Sequence, residues 1–167
     1  MQNNPINTRK LVFASLFAAL TFVSTYLSFP IVIGYVNLGD CFVILSGLIL
    51  GPYGIASAII GSVLCDLILG YAVYIPATFI IKGLMAFTVY TLGYKKHSFI
   101  RQIISALLAE AIMVVGYFIY EFFCMGLGMG ALASVPYNCL QGAVAIISST
   151  LFYMVLNKTK IIKRMKL

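Results

Sequence analysis

The sequence predicts an all-α integral membrane protein: six transmembrane helices, the second of them short, with both termini in the cytoplasm. Three observations carry that reading. The 167 residues are 62% hydrophobic and only 9% charged, more apolar matter than a soluble globule of this size can cover with polar surface. The apolar residues fall into runs broken by Gly/Pro turns or short basic loops. With six spans counted, every Lys and Arg but one falls on the same side, where the positive-inside rule places the cytoplasm.

A span needs about 20 apolar residues, and the runs are taken in order. Residues 10–29 begin at the basic pair Arg9-Lys10; the run has the outline of a signal peptide, but it ends in STYLSFP with no small-x-small cleavage site, so it reads as a retained first span. Residues 39–51 form a second span short enough to be tilted, broken or partly re-entrant. Gly51-Pro52-Tyr53-Gly54 is a turn signal that separates it from a third at 53–71. Gly70 to Pro76 punctuates the third and a fourth at 75–94. Lys95, Lys96 and Arg101 lead into a fifth at 101–125. The uncharged loop GLGMGALASVP then precedes a sixth at 137–157, which ends in Lys158, Lys160, Lys163, Arg164 and Lys166. Residues 1–167 read as a single domain.

Composition also excludes functions. The net charge of +7 is not a nucleic-acid footprint, because the basic residues flank apolar runs instead of clustering on a polar face. Cys41, Cys65, Cys124 and Cys139 form no CxxC pair and read as small packing residues, although Cys124 and Cys139 could share the outer face. His97 reads as a solvated loop residue. The sequence has no Walker A motif, dinucleotide fingerprint, HExxH, metal-ligand cluster or Ser–His–Asp set, so neither ATP use, a cofactor, a metal nor an enzyme is expected.

Lys82 is the basic residue that topology leaves over. It stands inside YIPATFIIKGLMAFTVYTLGY, where an ammonium costs at least a few kcal/mol. All four acids, Asp40, Asp66, Glu110 and Glu121, also lie in or beside spans. From the helix rise, Lys82 and every acid but Glu110 fall in the outer half. A short loop joins spans three and four, so an Asp66–Lys82 ion pair is expected. Helical spacing aligns Thr78 with Lys82 on span four, Glu110, Val114, Tyr117 and Glu121 on span five, and Asn138 with Gln141 on span six. Such stripes face one another or a ligand, since in lipid they would go unpaired. Tyr26, Tyr35, Tyr71, Tyr74, Tyr120 and Tyr137 gather at the same level, where tyrosine favours the interface of any membrane protein. They also offer ring faces for a small polar heterocycle. Small residues at Ala14/Ala18 and Ser15/Ala19, and at Gly54, Ala58, Gly61 and Cys65, suit close helix contact or, on span one, docking to a partner.

The run YVNLGDCFVILSGLILGPYGIASAIIGSVLCDLILGY, followed by YIPATFIIKGLMAFTVYTLG, resembles the substrate-binding S component of energy-coupling factor (ECF) transporters. The resemblance extends from the basic N-terminus and alanine-rich first helix through Asn-Leu-Gly-Asp, Gly-Pro-x-x-Gly and Asp-Leu-x-x-Gly-Tyr to the lysine-bearing fourth helix. It implies a bacterial cell-membrane subunit that captures a water-soluble vitamin or precursor outside. A membrane-embedded T component and two ATPases would power its delivery inward, with Ala14 and Ala18 docking the T component. By position, the loop at Ile31–Asn37 with Tyr35 and Asn37, then Lys82, Tyr117, Glu121, Asn138 and Gln141, would bind ligand; the neighbouring stripes and aromatics add Tyr74, Thr78 and Tyr137. The branch it most resembles implies riboflavin, hydroxymethylpyrimidine or pyridoxine, whereas a Lys82 free of Asp66 would admit an anion such as pantothenate. Two other readings stand beside this one. One is a self-contained channel or carrier using Asp66, Lys82, Glu110 and Glu121. The other is an oligomeric scaffold whose charges only set packing.

Overall fold

The computed structural model describes residues 8–30, 35–96, 98–159 and 162. Six α-helices dominate: α1 Thr8–Tyr26, α2 Gly39–Leu50, α3 Pro52–Ile68, α4 Ile75–Gly93, α5 Phe99–Ile119 and α6 Val135–Lys158. The anticipated run boundaries agree with these elements to within a few residues. The link between α1 and α2 holds a small antiparallel pairing, β1 Phe29–Pro30 with β2 Tyr35–Val36, where the sequence suggested only a loop. The glycine-rich link before α6 contains a 3-10 helix, Gly128–Ala133, and another, Ala72–Tyr74, leads into α4. Proline opens α3, α4 and α6, where its missing N–H costs nothing and its fixed φ suits the first turn.

The short helix is the centre of the bundle. α2 touches all five other helices, and every one of its residues except Phe42 is buried. A helix apolar on all sides has no face to give to water or a partner's surface, so it is sheathed by its neighbours. It is one unbroken helix. Its Val43, Ile44, Leu45 and Leu50 pack with Met85 and Val89 of α4 and Met113 of α5 in a fully buried core. Close approach of α3 to α2 and to α1 needs glycine. A Cβ on Gly54 would stand 2.1 Å from the carbonyl oxygen of Ser46, and one on Gly61 would stand 2.5 Å from that of Ala18. The small stripe of α3 is thus consumed by internal packing.

The outward faces are as apolar as the core. Val12, Ile80, Ile100, Phe123, Ile147 and Leu151 are each at least half exposed, an arrangement that suits hydrocarbon instead of water. Three helical stretches are long and apolar enough to cross a membrane: Ala72–Gly93, Phe99–Cys124 and Gly128–Lys158. All four cysteines are free thiols; Cys41 and Cys65 are buried, Cys124 and Cys139 exposed.

Candidate functional site

Successive helices run in opposite directions, so the C-terminal ends of α1, α3 and α5 meet the N-terminal ends of α2, α4 and α6. At that end of the bundle lies a cavity of about 130 Å³. The basic flanks at Arg9, Lys95, Arg101 and Lys158 belong to the opposite end.

Lys82 enters from α4 and is itself only 6% exposed. Its ammonium forms an ion pair with Asp40. The expected Asp66 partner is thereby corrected. The physical reason is the position of α2: it packs against α4 as α3 does, and it brings a carboxylate at its first turn to the depth of Lys82. The other oxygen of Asp40 accepts a hydrogen bond from Gln141 Nε2 at 2.6 Å. Gln141 Oε1 in turn accepts from the Asn37 backbone N–H at 3.0 Å, and Asn37 Oδ1 accepts from the Gly39 N–H at 2.8 Å. A continuous polar chain thus ties α4, α2, α6 and the turn before α2, and no member of it faces lipid. A buried charge is tolerable only when paired and hydrogen-bonded in this way.

Glu121 enters from the opposite wall. Where α5 ends, the chain widens into one π-turn, Tyr120–Cys124, a distortion that often marks functional sites because it re-aims a side chain. The carboxylate is 4% exposed and accepts hydrogen bonds from the Tyr74 hydroxyl at 3.2 Å and the Ser134 hydroxyl at 2.5 Å. Tyr74 and Tyr117 line the space between Lys82 and Glu121, with ring centroids 6.2 Å apart and planes inclined at 57°. The Tyr117 hydroxyl is 3.1 Å from Thr78 Oγ1, and the Lys82 ammonium sits 5.6 Å from the Tyr117 ring centroid.

Of the residues singled out from sequence, Asn37, Tyr74, Thr78, Lys82, Tyr117, Glu121, Asn138 and Gln141 converge on this one cavity. Tyr137 is half-buried and is not among the described residues that line the cavity. On α6 it lies on the far side of Gln141 from Asn138, and the cavity opens on the Asn138 side. Tyr35 contributes backbone pairing with Pro30; its side chain, and residues 31–34, lie outside the described residues. Asp66 lines the cavity without being the partner of Lys82. Thr25, Ser62, Tyr71 and Ser134 also line it. Of these only Tyr71 had been placed at this level by sequence; small hydroxyls leave no periodic signal. Glu110 is buried behind the cavity and faces Gly142, where a Cβ would stand 3.1 Å from its Oε2. Neither of its carboxyl oxygens has a hydrogen-bond partner among the described residues.

Ala14 and Ala18 belong to a different feature, an apolar groove between α1 and α3. Ala14 forms its buried floor and Ala18 is half-buried; Ser15, Phe22 and Ile60 help form its walls.

The sequence matches the family model of the ECF-type riboflavin transporter S component over residues 5–158. The chain belongs to this family. It is therefore a substrate-binding subunit of an ECF transporter, a membrane protein and not an enzyme. The fold of this S component is similar to that in a solved structure of the S component of a bacterial ECF transporter, with a TM-score of 0.76 and 24% sequence identity. That similarity covers 91% of this chain and 97% of the other. No curated protein matches the sequence.

Proposed function

We propose that this S component captures a water-soluble vitamin or vitamin precursor of the pyridoxine, hydroxymethylpyrimidine or riboflavin class at the outer face of a bacterial cell membrane. It delivers that ligand inward together with a T component and two ATPases. The observation that carries the reading is a polar cavity inside an apolar bundle, at the end remote from the basic flanks among the described residues. If all six helices cross the bilayer with basic flanks and termini inside, that cavity faces outward. The Lys82–Asp40 pair weakens the case for an anionic ligand such as pantothenate, because the ammonium already has its counter-ion.

The apolar groove holding Ala14 and Ala18 is the proposed T-component surface, as small residues let another helix approach closely. The test separates binding from delivery. A thermal-shift screen of the purified chain against vitamins and precursors should find a stabilising compound; at 100 times its dissociation constant it stabilises by about 2.7 kcal/mol. The effect should disappear in Asn138→Ala. Uptake into cells should need co-expressed partners and be lost in Ala18→Phe, which should still bind ligand when purified. Uptake by the chain alone would overturn the reading.

A further inference from the structure

We propose that the ligand of this cavity is an organic cation, a compact ring carrying an ionised amino group, and that Glu121 is its counter-ion. The inference rests on the substrate-binding reading above and adds the charge of the substrate to it.

Three ionisable acid or base side chains reach the cavity wall: Asp66, Lys82 and Glu121. Lys82 is neutralised by Asp40, which stands behind it and is 1% exposed. Glu121 is then the carboxylate that meets the ligand with no cation paired to it among the described residues. Glu121 is held by the hydroxyls of Tyr74 and Ser134. Such donors satisfy lone pairs but bring no positive charge, and no ion pair to Glu121 exists among the described residues. A neutral ligand that displaced water here would leave a dry carboxylate without a counter-ion, a state that costs far more than leaving it wet. A cationic ligand reverses the sign of that term.

Two further observations point the same way. Tyr74 hydrogen-bonds Glu121 and turns its ring to the cavity beside that of Tyr117, and aromatic faces attract cations. The Ser62 hydroxyl, 2% exposed and without a hydrogen-bond partner among the described residues, also lines the cavity. It is a buried polar atom that a ligand's ring nitrogen or hydroxyl can satisfy. Size agrees: a cavity of about 150 Å³ holds one six-membered ring, and this one is about 130 Å³.

The matched probes are pyridoxamine and pyridoxine, which share a ring and differ in an ionised aminomethyl against a neutral hydroxymethyl group. Thiamine serves as a second cation and riboflavin as a neutral tricycle. Calorimetry on the full-length detergent-purified chain should show at least one cation binding, with pyridoxamine at least tenfold tighter than pyridoxine. Glu121→Gln should shrink that ratio below threefold, whereas Glu121→Asp, which keeps the charge, should preserve it. The wild-type ratio stands as a test even if the variants fold poorly. Pyridoxine or riboflavin binding as tightly as the cations would overturn the charge assignment and leave the vitamin-binding reading intact. Binding of none of the four overturns the charge assignment, and a continued lack of response across the wider vitamin screen would then overturn the binding reading as well.

Discussion

Replacing Lys82 by Met gives the sharpest test of how the intramembrane charges are held. Met matches the unbranched four-atom stem of Lys and lacks the terminal ammonium. Asp40, at 1% exposure, then retains one hydrogen bond, from Gln141, and loses its counter-ion. Breaking one partner out of a buried ion pair costs about 3–5 kcal/mol. For a chain of this length, each kcal/mol shifts the unfolding midpoint by about 2–4 °C, so the midpoint should fall by roughly 6–20 °C. The double variant Lys82→Met/Asp40→Asn carries no buried charge at this point and keeps an amide oxygen for Gln141. It should recover most of the loss, since a whole buried pair can often be replaced at little net cost.

The chain has no tryptophan, so unfolding is best followed through thiols. In a Cys124→Ser/Cys139→Ser background only the buried Cys41 and Cys65 remain, and a thiol-reactive dye reports their exposure. Lys82→Met within about 1 kcal/mol of the parent, or a double variant no more stable than the single one, would refute the assignment of Asp40 as the counter-ion.

Gly54→Ala should destabilise by at least the 1–3 kcal/mol typical of overpacking, because its Cβ would meet the Ser46 carbonyl; Gly130→Ala, with open space around it, should leave the midpoint within about 0.5 kcal/mol of wild type in the same thermal assay. Gln141→Leu strips Asp40 and the Asn37 N–H of a shared partner, and a loss of about 1–3 kcal/mol with weaker vitamin binding by calorimetry is expected. Glu110→Leu removes a carboxyl whose oxygens have no hydrogen-bond partner among the described residues, so the midpoint should hold or rise, and a large drop would show that the carboxyl supports the packing around it.

Much of this architecture is legible in the chain because its signals are local. Gly51-Pro52 marks a helix end by backbone chemistry alone, and Gly51 adopts a φ of 62° that glycine tolerates and other residues rarely do. The convergence of Tyr117, Glu121, Asn138 and Gln141 follows from spacings of three and four on helices that cannot offer polar groups to lipid. The partner of Lys82 was not local. Chain proximity favoured Asp66, across a short loop, but α2 inserts between neighbours and delivers Asp40 from 42 residues away. Nothing in a twelve-residue apolar run says which helices will surround it. The π-turn that aims Glu121 is equally silent, since Tyr-Glu-Phe-Phe-Cys would serve an ordinary helix. Ser62 and Ser134 become site residues only through tertiary placement.

The sheathing of α2 also has a consequence for how the molecule is made. At 12 residues its axis is about 18 Å long, well short of a hydrocarbon layer of roughly 30 Å. When α2 leaves the ribosome, the helices bearing Lys82 and Gln141 do not yet exist, and Asp40 has neither of its eventual partners. A lone α2 is thus a poor resident of the bilayer, too short and carrying an acid at its tip. Asp40 has both partners only once α6, the last of these six helices in chain order, is in place. Assembly of the binding site and closure of this six-helix bundle are then the same event, so a chain truncated before α6 loses both the cavity and the last partner of Asp40.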